Sequence, residues 1–198
     1  SFDRDGEGEL TGIVREAAAM ELMPRIVEGF SRAELLGAYE GFQRRLHSQG
    51  ITAVCDMALT ARPGLDFVRD DLFCALEDAG RLALRASLFP TLVAGGGRLG
   101  QLQEKLTGPF VRAQGYKQFF DGVSSQHTAW LAEPYANART PGDCGRPTVA
   151  PAEMAALVDG AAAAGDRVRI HTIGDGAIHR ALDIFGEARQ RYGAGCGP

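Results

Sequence analysis

An α/β protein built on a parallel sheet is what this sequence predicts, and three observations predict it. Four short apolar runs, near 51–57, 82–90, 116–120 and 167–172, each lead into a stretch of helical periodicity. The intervening segments have the length that a crossover between parallel strands needs, whereas a hairpin is far shorter. Within the last run the polar Arg167, Arg169 and His171 alternate with Val168 and Ile170, so that strand sorts its side chains onto a polar and an apolar face.

Residues 1–30 read as a polar lead-in. Ser31 and Glu34 have the spacing of a capping box, and Leu35, Leu36, Tyr39, Phe42 and Leu46 follow at helical spacing until Gly50. Ile51 to Met57 is the first strand, and Pro63 and Gly64 open a second helical pattern through Phe67, Val68, Leu72 and Leu76 to Gly80. Leu82 to Pro90 is the second strand; a glycine turn at 95–97 then precedes a short helical pattern near Leu99 to Leu106. Tyr116 to Phe120 is the third strand. The stretch 123–147, rich in Pro, Gly and Asn, exceeds an ordinary connection and reads as a functional loop, a candidate substrate lid. Pro151 starts an alanine-rich helix ending at Gly165, and Arg167 to Thr172 is the fourth strand. Asp175 is placed to cap a last helix through Ile178, Leu182 and Phe185 toward Tyr192. One domain over 1–198 is expected, its consecutive βα units filling 31–198.

Composition narrows the function classes. The 198 residues are 45% hydrophobic and 23% charged, as in an ordinary globular domain. A closed eight-fold βα barrel usually needs ~250 residues or more, so a barrel reading implies further sequence. The net charge of −4, the pI near 5.6 and the absence of any basic run argue against nucleic acid and anionic lipid as partners. No apolar stretch approaches the ~18 residues of a membrane span, and the start SFDRDGEGEL lacks signal-peptide character, so a cytoplasmic protein with no membrane partner is expected. Cys55, Cys74, Cys144 and Cys196 are widely spaced and form no CxxC pair, which predicts free thiols. Of 21 basic residues only Lys105 and Lys117 are lysines, so lysine is an unusual choice here.

In parallel α/β folds the chemistry sits at the carboxyl ends of strands. Asp56, Lys117, Asp121 and His171 occupy such positions. Alternation places Lys117, Phe119 and Asp121 on one face of the third strand, and Arg167, Arg169 and His171 on one face of the fourth. Each residue singly also has a plain structural reading. A lone strand-end histidine is more often a hydrogen-bonded structural group, a lone lysine usually snorkels or pairs with an acid, and Asp56 and Asp175 could be turn and cap groups. His47 and His179 fall on helices and receive no role; His127 lies in the long loop, facing substrate or solvent.

The order of these residues is more specific than any one of them. GELTGIVREAA at 8–18, GITAVCDMA at 50–58, YKQFFDGVSSQHTAWLAEPYA at 116–136 and RIHTIGDGAIHRALDIF at 169–185 together resemble the YtcJ-like branch of the amidohydrolase superfamily, amidohydrolase family 3. The Lys117, Asp121, Gly122 and His171, Gly174, Asp175 spacings are its most specific parts. The resemblance implies a partial TIM-type (β/α) barrel, about four βα units of a metal-dependent hydrolase. It also implies that Lys117 and His171 are metal ligands, the lysine as a CO2-derived carbamate bridging divalent ions, with zinc the expected metal. Carbamylation turns an ammonium into an anionic oxygen ligand, a change open to lysine and closed to arginine, and neutral imidazole suits zinc.

By the same resemblance Asp121, His127 and Asp175 become substrate-binding or supporting positions, and the implied activity is hydrolysis of non-peptide C–N, amide-type bonds of a small molecule through a metal-activated water. The pattern also departs from the family. No HxH pair occurs, a sixth-strand histidine and eighth-strand aspartate are missing, and Gly176 stands where a bulkier residue is common. Two readings therefore stand side by side: an incomplete piece of the enzyme, itself inactive and weakly metal-binding, or a noncatalytic half barrel that serves only folding and association. Open strand edges would favour a homodimer. A metal-free hydrolase with its own nucleophile ranks below both, because no GxSxG elbow is present.

Overall fold

The capping box forms as its spacing requires. The Ser31 hydroxyl accepts from the Glu34 N–H at 3.3 Å, and the Glu34 carboxylate accepts from the Ser31 N–H at 2.8 Å. It opens the second helix of the computed structural model, which describes residues 2–14, 17–57, 68–138 and 140–193. The chain divides into two compact units, Ser1–Thr91 with Arg98–Gln114, and Leu92–Gly97 with Gly115–Pro198.

The first unit begins with an antiparallel hairpin, β1 (Phe2–Arg4) and β2 (Leu10–Val14), followed by helices α1 (Ala17–Glu28) and α2 (Arg32–Ser48). Next come β3 (Ala53–Met57), α3 (Asp70–Asp78), β4 (Arg85–Phe89), α4 (Leu99–Lys105) and β5 (Val111–Ala113). The three strands make one parallel sheet in the order β3-β4-β5, with Ala53 opposite Arg85 and Ala86 opposite Val111. Leu72, Leu76, Leu88, Phe89, Leu99, Leu102 and Val111 form the buried core. Polar groups drawn into it are satisfied. Gln43 donates to the Arg81 carbonyl at 2.7 Å and accepts from the Ala83 N–H at 3.0 Å, while Asp70 accepts from Arg98 and Lys105, both at 2.6 Å. Those two cations hold the Asp70 carboxyl below the ordinary carboxylate range despite its burial.

In the second unit, β6 (Tyr116–Phe119) and β7 (Val168–His171) pair in parallel, from Tyr116 opposite Val168 to Phe119 opposite His171. Helices α5 (Pro151–Ala163) and α6 (Asp175–Tyr192) complete it, α5 with proline in its first turn, where a missing N–H goes unnoticed. Phe120, Met154, Val158, Val168, Ala177 and Ile184 are its core. Gly115 precedes β6 with φ +157°, and a Cβ there would lie 2.5 Å from the Arg167 carbonyl oxygen, so β6 can begin against β7 only without a side chain at this position.

Several expectations change. The lead-in holds a hairpin and a helix, and β5 is a strand that the sequence does not announce. The second predicted strand begins at Arg85, three residues later than read. Residues 58–67, which include the predicted start of the second helix, lie outside the described residues; α3 is described from Asp70. Asp175 does not cap α6, since Gly174 occupies the cap and Asp175 is the first helical residue. Among the described residues the strands form sheets of two, three and two members, none closed on itself, so the fold is α/β with parallel βα units.

The candidate lid is a folded loop. It contains a 3-10 turn at Ser124–Gln126 and is stitched by Leu131 N–H to the Cys144 carbonyl at 2.8 Å and Tyr135 N–H to the Asp143 carbonyl at 2.9 Å. Thr148 returns it to the end of β6, donating to the Phe120 carbonyl at 2.8 Å.

Candidate metal-binding site

Lys117 is buried, at 9% exposure, in the middle of β6. Its ammonium donates to the Gln118 carbonyl at 3.2 Å and lies 4.4 Å from the centre of the Phe119 ring. No carboxylate pairs with it among the described residues, and burial alone pushes its pKa down to about 8 from an ordinary 10.5. A buried amine in this state is deprotonated easily, and the neutral amine is the form that adds CO2.

The sign of the resulting pH effect is fixed. Between pH 8 and 10.5 the folded chain has released a proton that the unfolded chain still holds, so stability rises with pH across that window. Urea unfolding followed by the fluorescence of Trp130, the sole tryptophan, is expected to show this rise. Lys117→Met should remove it and stabilise the chain at pH 7; a rise that persists in the variant would belong to other groups.

His171 ends β7 on the same sheet face, because Lys117 is opposite Arg169 and Phe119 opposite His171. One ladder step separates the two candidates, about 8 Å between their Cα atoms from strand spacing and rise. The Phe119 ring neighbours both, its centre 4.4 Å from the Lys117 ammonium and 5.1 Å from that of the imidazole. The Nε2 edge of His171 faces the Gly122 carbonyl at 3.4 Å; in the tautomer that donates from Nε2, the Nδ1 lone pair is left for a ligand.

Asp121 follows β6 and is 1% exposed. Its carboxylate accepts three backbone N–H bonds, from Trp130 at 3.0 Å, Ile173 at 3.0 Å and Gly174 at 2.7 Å. It thus fastens the loop after β6 to the turn that follows His171. Gly174 is pressed into this junction: an added Cβ would lie 1.9 Å from the Trp130 carbonyl oxygen. Asp175 accepts from the Ala132 N–H and the Gly176 N–H, both at 2.9 Å, and the Ala132 bond leads in holding its carboxyl below the usual range. His127 adopts φ 58°, meets the Asp143 carboxylate through Nδ1 at 3.0 Å and stacks on Tyr135 with ring centres 4.3 Å apart.

The profile of the Amidohydrolase family matches residues 3–195. The chain belongs to the amidohydrolase family. Two solved structures resemble this amidohydrolase chain, both described as uncharacterized metal-dependent hydrolases. That from Pyrococcus horikoshii OT3 is 26% identical with a TM-score of 0.70, over 94% of this chain and 37% of its own. The Pyrococcus furiosus structure is 30% identical with a TM-score of 0.69, over 96% of this chain and 38% of its own. The amidohydrolase chain therefore spans less than two fifths of the length of either. No curated protein matches it.

The donor chemistry of the amidohydrolase chain fits a divalent metal in part. A buried lysine with no acidic partner among the described residues and a depressed pKa is suited to carbamate formation, and an imidazole lies on the same face. Among the described residues no group of three or more His, Cys, Asp or Glu comes together, so further ligands are required. Sequence reasoning missed Asp143 and Tyr135, the partners of His127, and the three N–H groups that Asp121 gathers. Ile173 and Gly174 lie 52 and 53 residues beyond Asp121. Only the Asp-Gly doublets at 121 and 175 hinted that backbone and carboxylate meet there.

Proposed function

We propose that this chain contributes Lys117 and His171 as ligands of a divalent metal, zinc by donor type, in a hydrolase cleaving a non-peptide amide-type C–N bond of a small molecule. The observation that carries the reading is Lys117, buried and without an acidic partner among the described residues, one ladder step from an imidazole on the same sheet face. The described βα units would then be part of a TIM-type barrel whose remaining strands supply the other ligands. When bound, the metal supplies Lewis acidity toward water and the amide carbonyl. Lys117 would contribute carbamate oxygens and His171 a ring nitrogen; Phe119 shields both from water, and Asp121 with Asp175 fixes the surrounding loops. His127 stiffens the loop wall against which a substrate would rest.

Zinc content and a carbamate signal from 13C-labelled bicarbonate, measured on this chain and on a longer protein that includes the flanking barrel strands, test the reading. Metal and carbamate are expected at about one lysine equivalent in the longer protein and weakly in this chain. Their absence from both would remove the metal-site assignment.

A second reading, a noncatalytic unit of folding and association, is favoured by the incomplete donor set among the described residues. It keeps the expectation of a homodimer. Ile173, Ile178 and Leu182 are 42%, 40% and 64% exposed at and beyond the start of α6, an apolar surface that association would cover. Sedimentation is expected to show a concentration-dependent dimer that Leu182→Glu shifts to monomer; a monomer at all concentrations would rule out this surface. Among the described residues no helix is long and apolar enough to cross a membrane, and a cytoplasmic location is part of the same proposal.

A further inference from the structure

The Leu92–Gly97 segment and α5 enclose a groove of about 430 Å³, within the range that small molecules occupy. Helix positions 153, 156, 157, 160, 161 and 164 face it, a single side of α5 whose small residues leave the space open. Tyr116 lies on the opposite face of β6 from Lys117, and Asp166 precedes β7, so this groove is separate from the Lys117 and His171 face.

Three features of the lining are unusual together. Asp166 is half-buried, and its backbone is fixed by a 2.9 Å bond to the Ala161 carbonyl. No cation pairs with its carboxylate among the described residues, and burial pushes its pKa up. Glu153 adds a second negative charge at the other end, and no Lys, Arg or His lines the groove. Tyr116 is 95% buried by its 5% exposure, and its hydroxyl accepts from the Gly97 N–H at 3.3 Å. The hydroxyl proton has no acceptor among the described residues, which leaves a buried donor beside Gly96 in the groove lining.

We propose that this groove binds a small organic ammonium compound, its charge against Asp166, its apolar body on Leu92, Leu157 and Ala161, and a hydrogen-bond acceptor reaching Tyr116. An ammonium removes the penalty of a half-buried, unpaired carboxylate, which a neutral ligand of the same shape does not. The apolar walls contribute in proportion to the area they cover.

Benzylamine and its neutral counterpart benzyl alcohol are suitable probes for the 198-residue chain, followed by backbone amide spectra. Benzylamine is expected to bind saturably, to shift signals of 92–97, 116 and 156–166, and to bind roughly tenfold or more tightly than benzyl alcohol. Asp166→Asn should abolish that preference. Gly160→Leu should block both probes while leaving the circular dichroism unchanged, because a Cβ at Gly160 meets nothing within 4 Å and the helix gains a better helix former. Equal binding of the two probes, an unchanged preference in Asp166→Asn, or shifts confined to other residues would overturn the proposal. Displacement of benzylamine by self-association of the chain would overturn it too, since the groove would then belong to a contact between copies. None of these readouts depends on zinc or on hydrolysis, so failure here leaves the metal reading standing.

Discussion

Gly174→Ala is expected to destabilise the second unit by about 4 kcal/mol or more, enough to leave it largely unfolded at 37 °C. An added Cβ would lie 1.9 Å from the Trp130 carbonyl oxygen, 2.3 Å from its carbon and 2.6 Å from its nitrogen, and all three are backbone atoms. No rotamer change relieves such a clash. Either the loop after β6 or the start of α6 must retreat, and both are fixed to Asp121 by bonds of 2.7 to 3.0 Å. Trp130 fluorescence in urea reads the loss where it arises. Gly186→Ala, in the middle of α6 with open space for its Cβ, is the control and should stabilise slightly. A Gly174→Ala protein as stable as its parent would mean that the loop yields freely.

Lys117→Met, made in a longer protein that includes the flanking strands, is expected to reduce hydrolysis roughly a thousandfold and to release metal. Methionine keeps the volume and the apolar stem of lysine, so burial beside Phe119 is preserved while the amine is lost. Lys117→Arg should fail equally, because a guanidinium cannot form a carbamate. Short-chain carboxylic acids added to a Lys117→Ala protein should return part of the activity by supplying the missing oxygens. Full activity in Lys117→Met would leave the lysine a buried structural residue.

Where periodicity and capping are strong, the sequence shows the fold. The helix from Ser31, the alanine-rich helix from Pro151 and the last helix to Tyr192 were all legible, because each carries an apolar stripe or a start signal over several turns. β5 was not, since Val111, Arg112 and Ala113 make one alternation only, too short to separate from noise. The first helix was hidden by Pro24, which counts against a helix in any local reading. The site divides the same way. Lys117 and His171 stand out as polar residues of the last two strands, and strand pairing places them on one face, although Lys117 lies second in β6 rather than at its carboxyl end, where the sequence reading put it. The support around them was hidden because it is made by main-chain N–H groups, which every residue but proline possesses and no letter of the sequence reveals.

Asp121 has a consequence of a different kind. Three inward-pointing N–H groups from two chain segments form a receptor for a carboxylate, and the chain carries its own guest on a one-carbon tether. Cutting the tether with Asp121→Gly should leave an empty seat rather than a ruin. Acetate at tens of millimolar should then raise the unfolding midpoint of that variant and leave the parent unmoved, since only a vacant receptor gains by mass action. The covalent link supplies, at no solute concentration, what a free anion must supply by abundance, and the loop after β6 is in this sense a permanently ligated protein.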